Sequence, residues 1–400
     1  MIAQRVQAIA PSETMKISGR AKELQREGKS VISLSQGEPD FKTPPHICEA
    51  AIQAIKDGHH GYTVNTGNIE LREAISDKLK SENGLDYTPD QIILSNGAKQ
   101  SIGFSLLATV DPGNEVIIPA PYWVSYPEMV KLAEGKPVIV PTAFENDFKM
   151  TPDQLRNAIT DKTRMLILCS PSNPTGSCYS ADELKALADV LREYPDILVL
   201  SDEIYEYIVF DSEHVGIAQV APDLKDRILV INGFSKGFAM TGWRLGYLAS
   251  SAGIVKAVAK IQSQETSGPS SISQKAGEAA YTSPRDSVKE MVAAFRERRD
   301  YLVDALNSID GVKCFLPGGA FYAFPDISSY LNSETPSGNR ITNSTDLCMF
   351  LLEERGLAAV PGDAFGEPGG IRLSYAASMD HLHEAVKRLR DGLKALEKQS

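Results

Sequence analysis

Between about residue 90 and residue 250, short runs rich in Ile, Val and Leu recur without polar alternation, and amphipathic stretches separate several of them. The runs fall at 91–94, 115–118, 165–169, 197–200, 228–231 and 245–248. A strand with one solvated face alternates apolar and polar residues, whereas a strand covered on both faces does not. Covered strands with helices between them restrict this region to an α/β domain built around a mostly parallel sheet. The clearest crossover helix is Ala181–Arg192, opened by Ser180 with Glu183 three residues later, the spacing of a capping box. A second helix is expected over 69–81.

The remainder of the chain reads differently. A long charged helix over 288–307 leads to the turn Pro317-Gly318-Gly319 and an aromatic strand over 320–324. Residues 325–344 are rich in Ser, Asn and Gly and predict a surface loop. A helix over 346–354, a strand over Ile371–Ser374 and a final amphipathic helix complete an α+β unit. The N-terminal segment has no core of its own and is expected to pack on that unit. The division is then 45–285 for a large domain, and 1–44 with 286–400 for a small one.

A chain of 400 residues is long enough for two domains with a cleft between them. Its formal net charge of −11 argues against a nucleic-acid-binding surface. Five scattered cysteines, with no C-x-x-C pair, predict reduced thiols in a cytoplasmic protein. The first residues lack the apolar core of a signal peptide, and no run approaches the roughly 20 apolar residues that span a bilayer. His59-His60 and His381-x-His383 have no cysteine or carboxylate framework around them, so no metal site is expected.

Ligands of an open α/β sheet sit at the carboxyl ends of its strands, and the polar signals of this chain fall at such places. After 91–94 comes Ser95-Asn96-Gly97-Ala98-Lys99-Gln100 and then a helical pattern, a turn that presents free backbone N–H groups to an anion. After 115–118 comes Trp123, suited to stacking on a flat ring or simply to core packing. After 165–169 comes Ser172-Asn173-Pro174-Thr175-Gly176, where prolines fix the Asn173 amide or merely make a turn. After 197–200 come Asp202 and Tyr205; Asp202 suits a protonated ring nitrogen, or a helix cap. Finally Ser235-Lys236-Gly237 precedes Gly242-Trp243-Arg244, placing an amine and a phosphate-binding cation eight positions apart. A lysine able to condense with an aldehyde, an arginine for a phosphate and a carboxylate for a pyridinium are the parts that pyridoxal 5′-phosphate (PLP) requires.

Together these segments resemble the PLP-dependent aminotransferases of fold type I, class I/II, over essentially the whole chain. The resemblance implies a mostly parallel seven-stranded sheet between helices in the large PLP-binding domain, and a smaller α+β domain made of both chain ends. It makes Lys236 the Schiff-base lysine and proton carrier, with Asp202 and Tyr205 as its catalytic companions. It assigns phosphate binding to Ser235, Arg244 and the Gly97-Ala98-Lys99 turn, ring stacking to Trp123, and the phenolic oxygen to Asn173 and Tyr205. Gly37 and Arg372 would meet the substrate carboxylate. Tyr62 would reach the partner's phosphate across a homodimer.

The segments around Ser12 and Thr14, Lys99, and Trp123 resemble most the bacterial aspartate aminotransferases of the 1b type. There the residue matching Lys99, with hydroxyls near Ser12 and Thr14, recognises a second substrate carboxylate. L-Aspartate and 2-oxoglutarate are the expected pair, with prephenate as a further acceptor in some members. Two positions depart from the family pattern: Ala98, where glycine is frequent, and Gly237, where alanine follows the lysine. The same cofactor parts would also serve another donor, a β-lyase or a cyclopropane-forming elimination on this fold. A PLP-binding regulator would carry a DNA-binding segment ahead of Gly37, which this chain does not show.

Overall fold

A computed structural model of the chain describes residues 2–10 and 13–396. Its largest sheet has seven strands: β1 (Ile92–Ser95), β2 (Glu115–Ala120), β3 (Lys136–Pro141), β4 (Thr163–Cys169), β5 (Leu198–Asp202), β6 (Ile228–Gly233) and β7 (Gly246–Ala249). Their spatial order is β1-β7-β6-β5-β4-β2-β3. β7 runs antiparallel to both of its neighbours, and every other pairing is parallel. The carboxyl ends of β1, β2, β4, β5 and β6 therefore share one edge of the sheet.

The apolar runs do cover two faces. Ile92, Leu94, Ile117, Leu166, Val199, Ile228 and Val230 enter one buried cluster, while Ile93, Val116, Ile118, Met165, Leu198, Leu229 and Ile231 enter another. Successive residues of one strand thus feed opposite cores, the period of two expected of a pleated strand with helices on both sides. The capping box is present as read: Ser180 Oγ accepts from the Glu183 N–H at 3.3 Å, and Glu183 Oε2 accepts from the Ser180 N–H at 2.7 Å.

Three differences from the sequence reading stand out. Strand β3 has no counterpart among the six runs; it is an edge strand with Pro137 and Pro141, and none of its residues is fully buried. The aromatic strand expected over 320–324 is shorter, pairing at Tyr322–Ala323 with Ser374 and Leu373 of Ile371–Ser374, whose other edge pairs with Val360–Pro361. The loop over 325–344 carries a short turn of 3-10 helix at Ser328–Tyr330.

The N-terminal segment does pack on the C-terminal unit. Ile32–Ser33 pairs in parallel with Leu357–Ala358, and Ile17, Leu24 and Leu34 join Phe295, Leu302, Leu351 and Leu389 in one core. That core also takes in Tyr205, Ile208 and Phe210, from the segment that follows β5. Beneath the same segment lies a buried polar knot. The Lys78 ammonium donates to Glu206 and to Asn83, while Glu203 accepts from Ser201 and faces His214 Nε2 at 3.1 Å. No helix among the described residues is long and apolar enough to cross a membrane.

Candidate active site

A cavity of about 520 Å³ opens at the shared carboxyl edge of the sheet, and Gly37, Glu38, Tyr322 and Arg372 also line it. β1 delivers the turn into helix Ala98–Thr109. Gly97 has φ +85°, and a Cβ there would lie 2.5 Å from Arg244 Nη2, so only glycine lets the guanidinium come this close. The first N–H groups of the helix have no intrahelical acceptor, and the helix dipole adds positive potential. Arg244 is itself fixed, donating to the Thr241 carbonyl at 2.8 Å and the Asn96 carbonyl at 3.2 Å. Ser235 lines the same cavity, and a guanidinium beside free helix N–H groups is chemistry that suits an anion.

β2 delivers Trp123 and, one helical turn later, Tyr126. Their rings meet edge to face at 5.3 Å, and the Lys99 ammonium stands over the indole at 4.9 Å. Tyr126 is buried and donates to Asp202 Oδ2 at 2.6 Å. Burial pushes the Asp202 carboxyl up to about 6, while the Tyr126 hydroxyl and the Ile204 N–H hold it down. Cys169, the residue opposite Asp202 on β4, lines the same wall.

The loop after β4 carries Asn173, whose Oδ1 accepts from Arg372 Nη1 at 2.9 Å. Only the NH₂ of this amide is then left to face a ligand. Arg372 also donates to the Ser35 carbonyl at 2.9 Å and lies over the Tyr322 ring at 4.5 Å. Its Nε is buried without a partner, an unusual state for a charged donor and one that a carboxylate would satisfy. Tyr205 and Tyr322 share a hydrogen bond of 2.9 Å between their hydroxyls.

Lys236 follows β6 and its ammonium donates to the Gly37 carbonyl. Burial first, then the nearby Arg372 and Arg244 cations, lower its pKa to about 8; Glu38 and Asp202 pull the other way. Glu38 in turn accepts from Thr241 Oγ1 at 2.9 Å, tying the N-terminal segment to the lysine-bearing turn. Lys99 is lowered as well, by burial and then by Arg244.

Of the residues singled out from the sequence, Gly37, Ala98, Lys99, Trp123, Asn173, Asp202, Tyr205, Ser235, Lys236, Arg244 and Arg372 line this one cavity. Gly97 sits directly behind the wall. Tyr62 does not line it and is 99% exposed. Ser12 lies outside the described residues, and Thr14 belongs to helix Glu13–Arg26. The sequence reading missed Glu38, Tyr126, Cys169, Thr241 and Tyr322. Tyr126 carried one usable signal, its place three residues after Trp123 on a helical start, which puts both on one face. Among the described residues one group could gather a metal, and it is neither histidine pair: it is Glu203, Glu206 and His214, where Lys78 already neutralises Glu206.

The pattern of the family described as aminotransferase class I and II matches residues 29–389. The aspartate/prephenate aminotransferase of Nitrosomonas europaea is 52% identical over 391 residues, covering 97% of this chain and 98% of its own length. The crystal structure of the aspartate aminotransferase from Rhizobium meliloti superposes with a TM-score of 0.96 at 46% identity, covering 99% of this chain and 100% of that one. The aspartate aminotransferase from Thermus thermophilus with maleate gives 0.92 at 41% identity, covering 98% and 99%. Matched along nearly its whole length in both sequence and fold, the chain belongs to the aminotransferase class I and II family.

Proposed function

We propose that this chain is a cytoplasmic, PLP-dependent aminotransferase that moves the amino group of L-aspartate to 2-oxoglutarate, with prephenate as a further acceptor. The observation that carries this reading is a single cavity lined by a lysine of lowered pKa, Lys236, and by two further basic side chains, Arg372 and Lys99. One cation suits an α-carboxylate and the other a distal carboxylate. The name of the Nitrosomonas relative and the maleate of the Thermus structure agree with a dicarboxylic substrate.

The cofactor fits what is present. The Gly97 turn, Ser235 and Arg244 would hold its phosphate, Trp123 its ring face, Asp202 its ring nitrogen, and the Asn173 NH₂ with the Tyr205 hydroxyl its phenolic oxygen. When bound, it supplies a carbonyl carbon with which amines condense and a ring that takes up electrons. The chain's own groups do the rest. Lys236 Nζ would anchor the cofactor and, when free, would move the proton at the substrate's Cα. Only the neutral amine accepts that proton, so the lowered pKa serves the step directly. Arg372 fixes the α-carboxylate and hence the direction of the Cα–H bond. Asp202 would place negative charge at the ring nitrogen, and the Tyr126 hydroxyl favours its ionised form against burial.

The test is the absorbance spectrum of the purified protein before and after L-aspartate under single-turnover conditions, with assay of the product. Loss of the visible band with release of oxaloacetate is expected, and prephenate is then offered as acceptor. A band that aspartate leaves unchanged rejects the aspartate assignment. No band after added PLP overturns the cofactor assignment.

Two further outcomes are expected. Tyr126→Phe deletes the donor that opposes burial at Asp202, so the carboxyl titrates higher and kcat falls by about tenfold, the scale of one hydrogen bond to a charged group. An unchanged pH dependence of cofactor affinity in that variant would show that Tyr126 does not act through Asp202. We also propose a homodimer in which Tyr62 reaches the partner's cofactor phosphate, supported by the exposure of Tyr62 (99%) and Val64 (66%) side by side. Tyr62→Ala is then expected to fold normally and to lose PLP on dialysis about tenfold faster. Sedimentation would check the dimer. We further propose that 45–285 and 1–44 with 286–400 are the two domains between which the cavity opens.

A further inference from the structure

Gly237, the residue after Lys236, has no left-handed backbone that would call for glycine. Its requirement is spatial. A Cβ at 237 would lie 2.6 Å from Cδ2 of Tyr207 and 3.1 Å from its Cβ. Turning the ring relieves the first contact but not the second, because Cβ moves only with the backbone. The ring is not free to turn either. Tyr207 Oη donates to Glu82 Oε2 at 2.9 Å, the Lys78 ammonium and the Arg285 guanidinium stand 5.3 and 4.9 Å from its centroid, and Phe238 meets it edge to face at 5.4 Å. Both cations are anchored in their turn, Lys78 by buried Glu206 and Arg285 by Glu82.

The other side of the contact is equally closed. The Phe238 N–H donates to the Phe234 carbonyl at 3.3 Å, the Ala239 N–H to the Lys236 carbonyl at 3.3 Å and the Met240 N–H to the Ser235 carbonyl at 3.2 Å. Residues 234–240 thus form one tight turn, and a displacement at 237 carries Lys236 with it. Tyr207 belongs to the same short segment as Asp202 and Tyr205, both on the cavity wall. The contact between Tyr207 and Gly237 is therefore a direct tie between the segment that faces one side of the cofactor site and the turn that brings the amine to the other.

Resting on the reading of Lys236 as the cofactor lysine, we propose that Tyr207 is a positioning residue for Lys236, setting the lysine-bearing turn relative to Asp202 and Tyr205 through the packing of its ring against Gly237. Shape does this, not the hydroxyl. Enlarging position 237 and shrinking position 207 should each displace the turn, and in opposite senses, so the two changes should compensate.

The experiment is a pH titration of the visible band of the PLP-loaded protein, with the rate of PLP loss on dilution, for the wild type, Gly237→Ala, Tyr207→Ala, the double variant and Tyr207→Phe. Each alanine variant is expected to move the titration midpoint by about half a unit, a roughly threefold change in proton affinity, and to lose PLP faster. The double variant should lie closer to the wild type than either single one, and Tyr207→Phe should titrate as the wild type does. A merely structural role would lower the melting temperature and leave the midpoint in place. Unmoved midpoints in Gly237→Ala overturn the inference, as does a double variant that titrates as far from the wild type as either single one. If Tyr207→Ala does not fold, Gly237→Ala decides alone by the same readout. A wild type with no visible band overturns the cofactor reading and this inference with it, whereas a normal wild-type band with indifferent variants overturns this inference only.

Discussion

Lys236→Ala is expected to lower turnover by on the order of 10⁶-fold while the chain still folds. On the proposed reading two functions leave together, the amine that anchors the cofactor and the base that moves the Cα proton, and losses of this size follow when one group serves as both nucleophile and proton carrier. Binding need not vanish, because the phosphate cradle at Gly97, Ser235 and Arg244 and the ring contacts at Trp123 and Asp202 are untouched. The folding claim has its own check. The amine's folded pKa of about 8 lies below its ordinary 10.5, so the folded cofactor-free chain holds this proton less well than the unfolded one. Below about pH 8 both states carry the charge and folding bears the whole penalty; between 8 and 10.5 the penalty fades, and above 10.5 neither state is charged. Cofactor-free Lys236→Ala should therefore melt above the cofactor-free wild type at pH 7, less the bond to the Gly37 carbonyl, and the gap should narrow as pH rises towards 10. Single-turnover release of oxaloacetate measures the activity, and near-wild-type rates would sink the assignment of Lys236.

Sequence and fold agree most closely where one segment carries its own signal. The buried strands declared themselves because Ile, Val and Leu fill both of their faces, and the strand ends carried their polar residues in an order that a single sheet edge then brought together. β3 stayed hidden because an edge strand needs only one well-covered side, and its two prolines imitate a turn. The supports of the site were hidden for a different reason. Nothing local in the sequence says that Tyr126 on the segment after β2 meets Asp202 at the end of β5, or that Tyr322 joins Tyr205 from 117 positions away. Lys78 and Glu206 look like surface charges by type but are buried and paired across 128 positions. Residues that touch a ligand kept recognisable neighbours; residues that hold them in place are chosen by contacts the fold alone creates.

Arg372→Ala is the second large loss, expected to lower kcat/KM for L-aspartate by about 10³-fold, the scale of removing one partner from a buried charge pair. The loss should appear in kcat as well as KM. Arg372 Nη1 holds the Asn173 amide in place, so on the proposed reading its removal slackens a group that faces the cofactor as well as removing the anchor of the substrate carboxylate. Arg372→Lys should recover little, since a single ammonium cannot reach Asn173 and Ser35 together and still offer a second donor to a carboxylate. Stability should move the other way from activity, because a guanidinium with a buried, unpartnered Nε stands in the cofactor-free site at a cost that alanine does not incur. The variant also reports on Lys236. Arg372 is the second cause of that amine's lowered pKa, after burial, so its loss should raise the Lys236 midpoint from about 8 towards the ordinary value. A carboxylate bound at Arg372 would act on the wild type in the same direction by neutralising the guanidinium. A variant with unchanged kcat/KM, or one whose lysine titrates as in the wild type, would break that link.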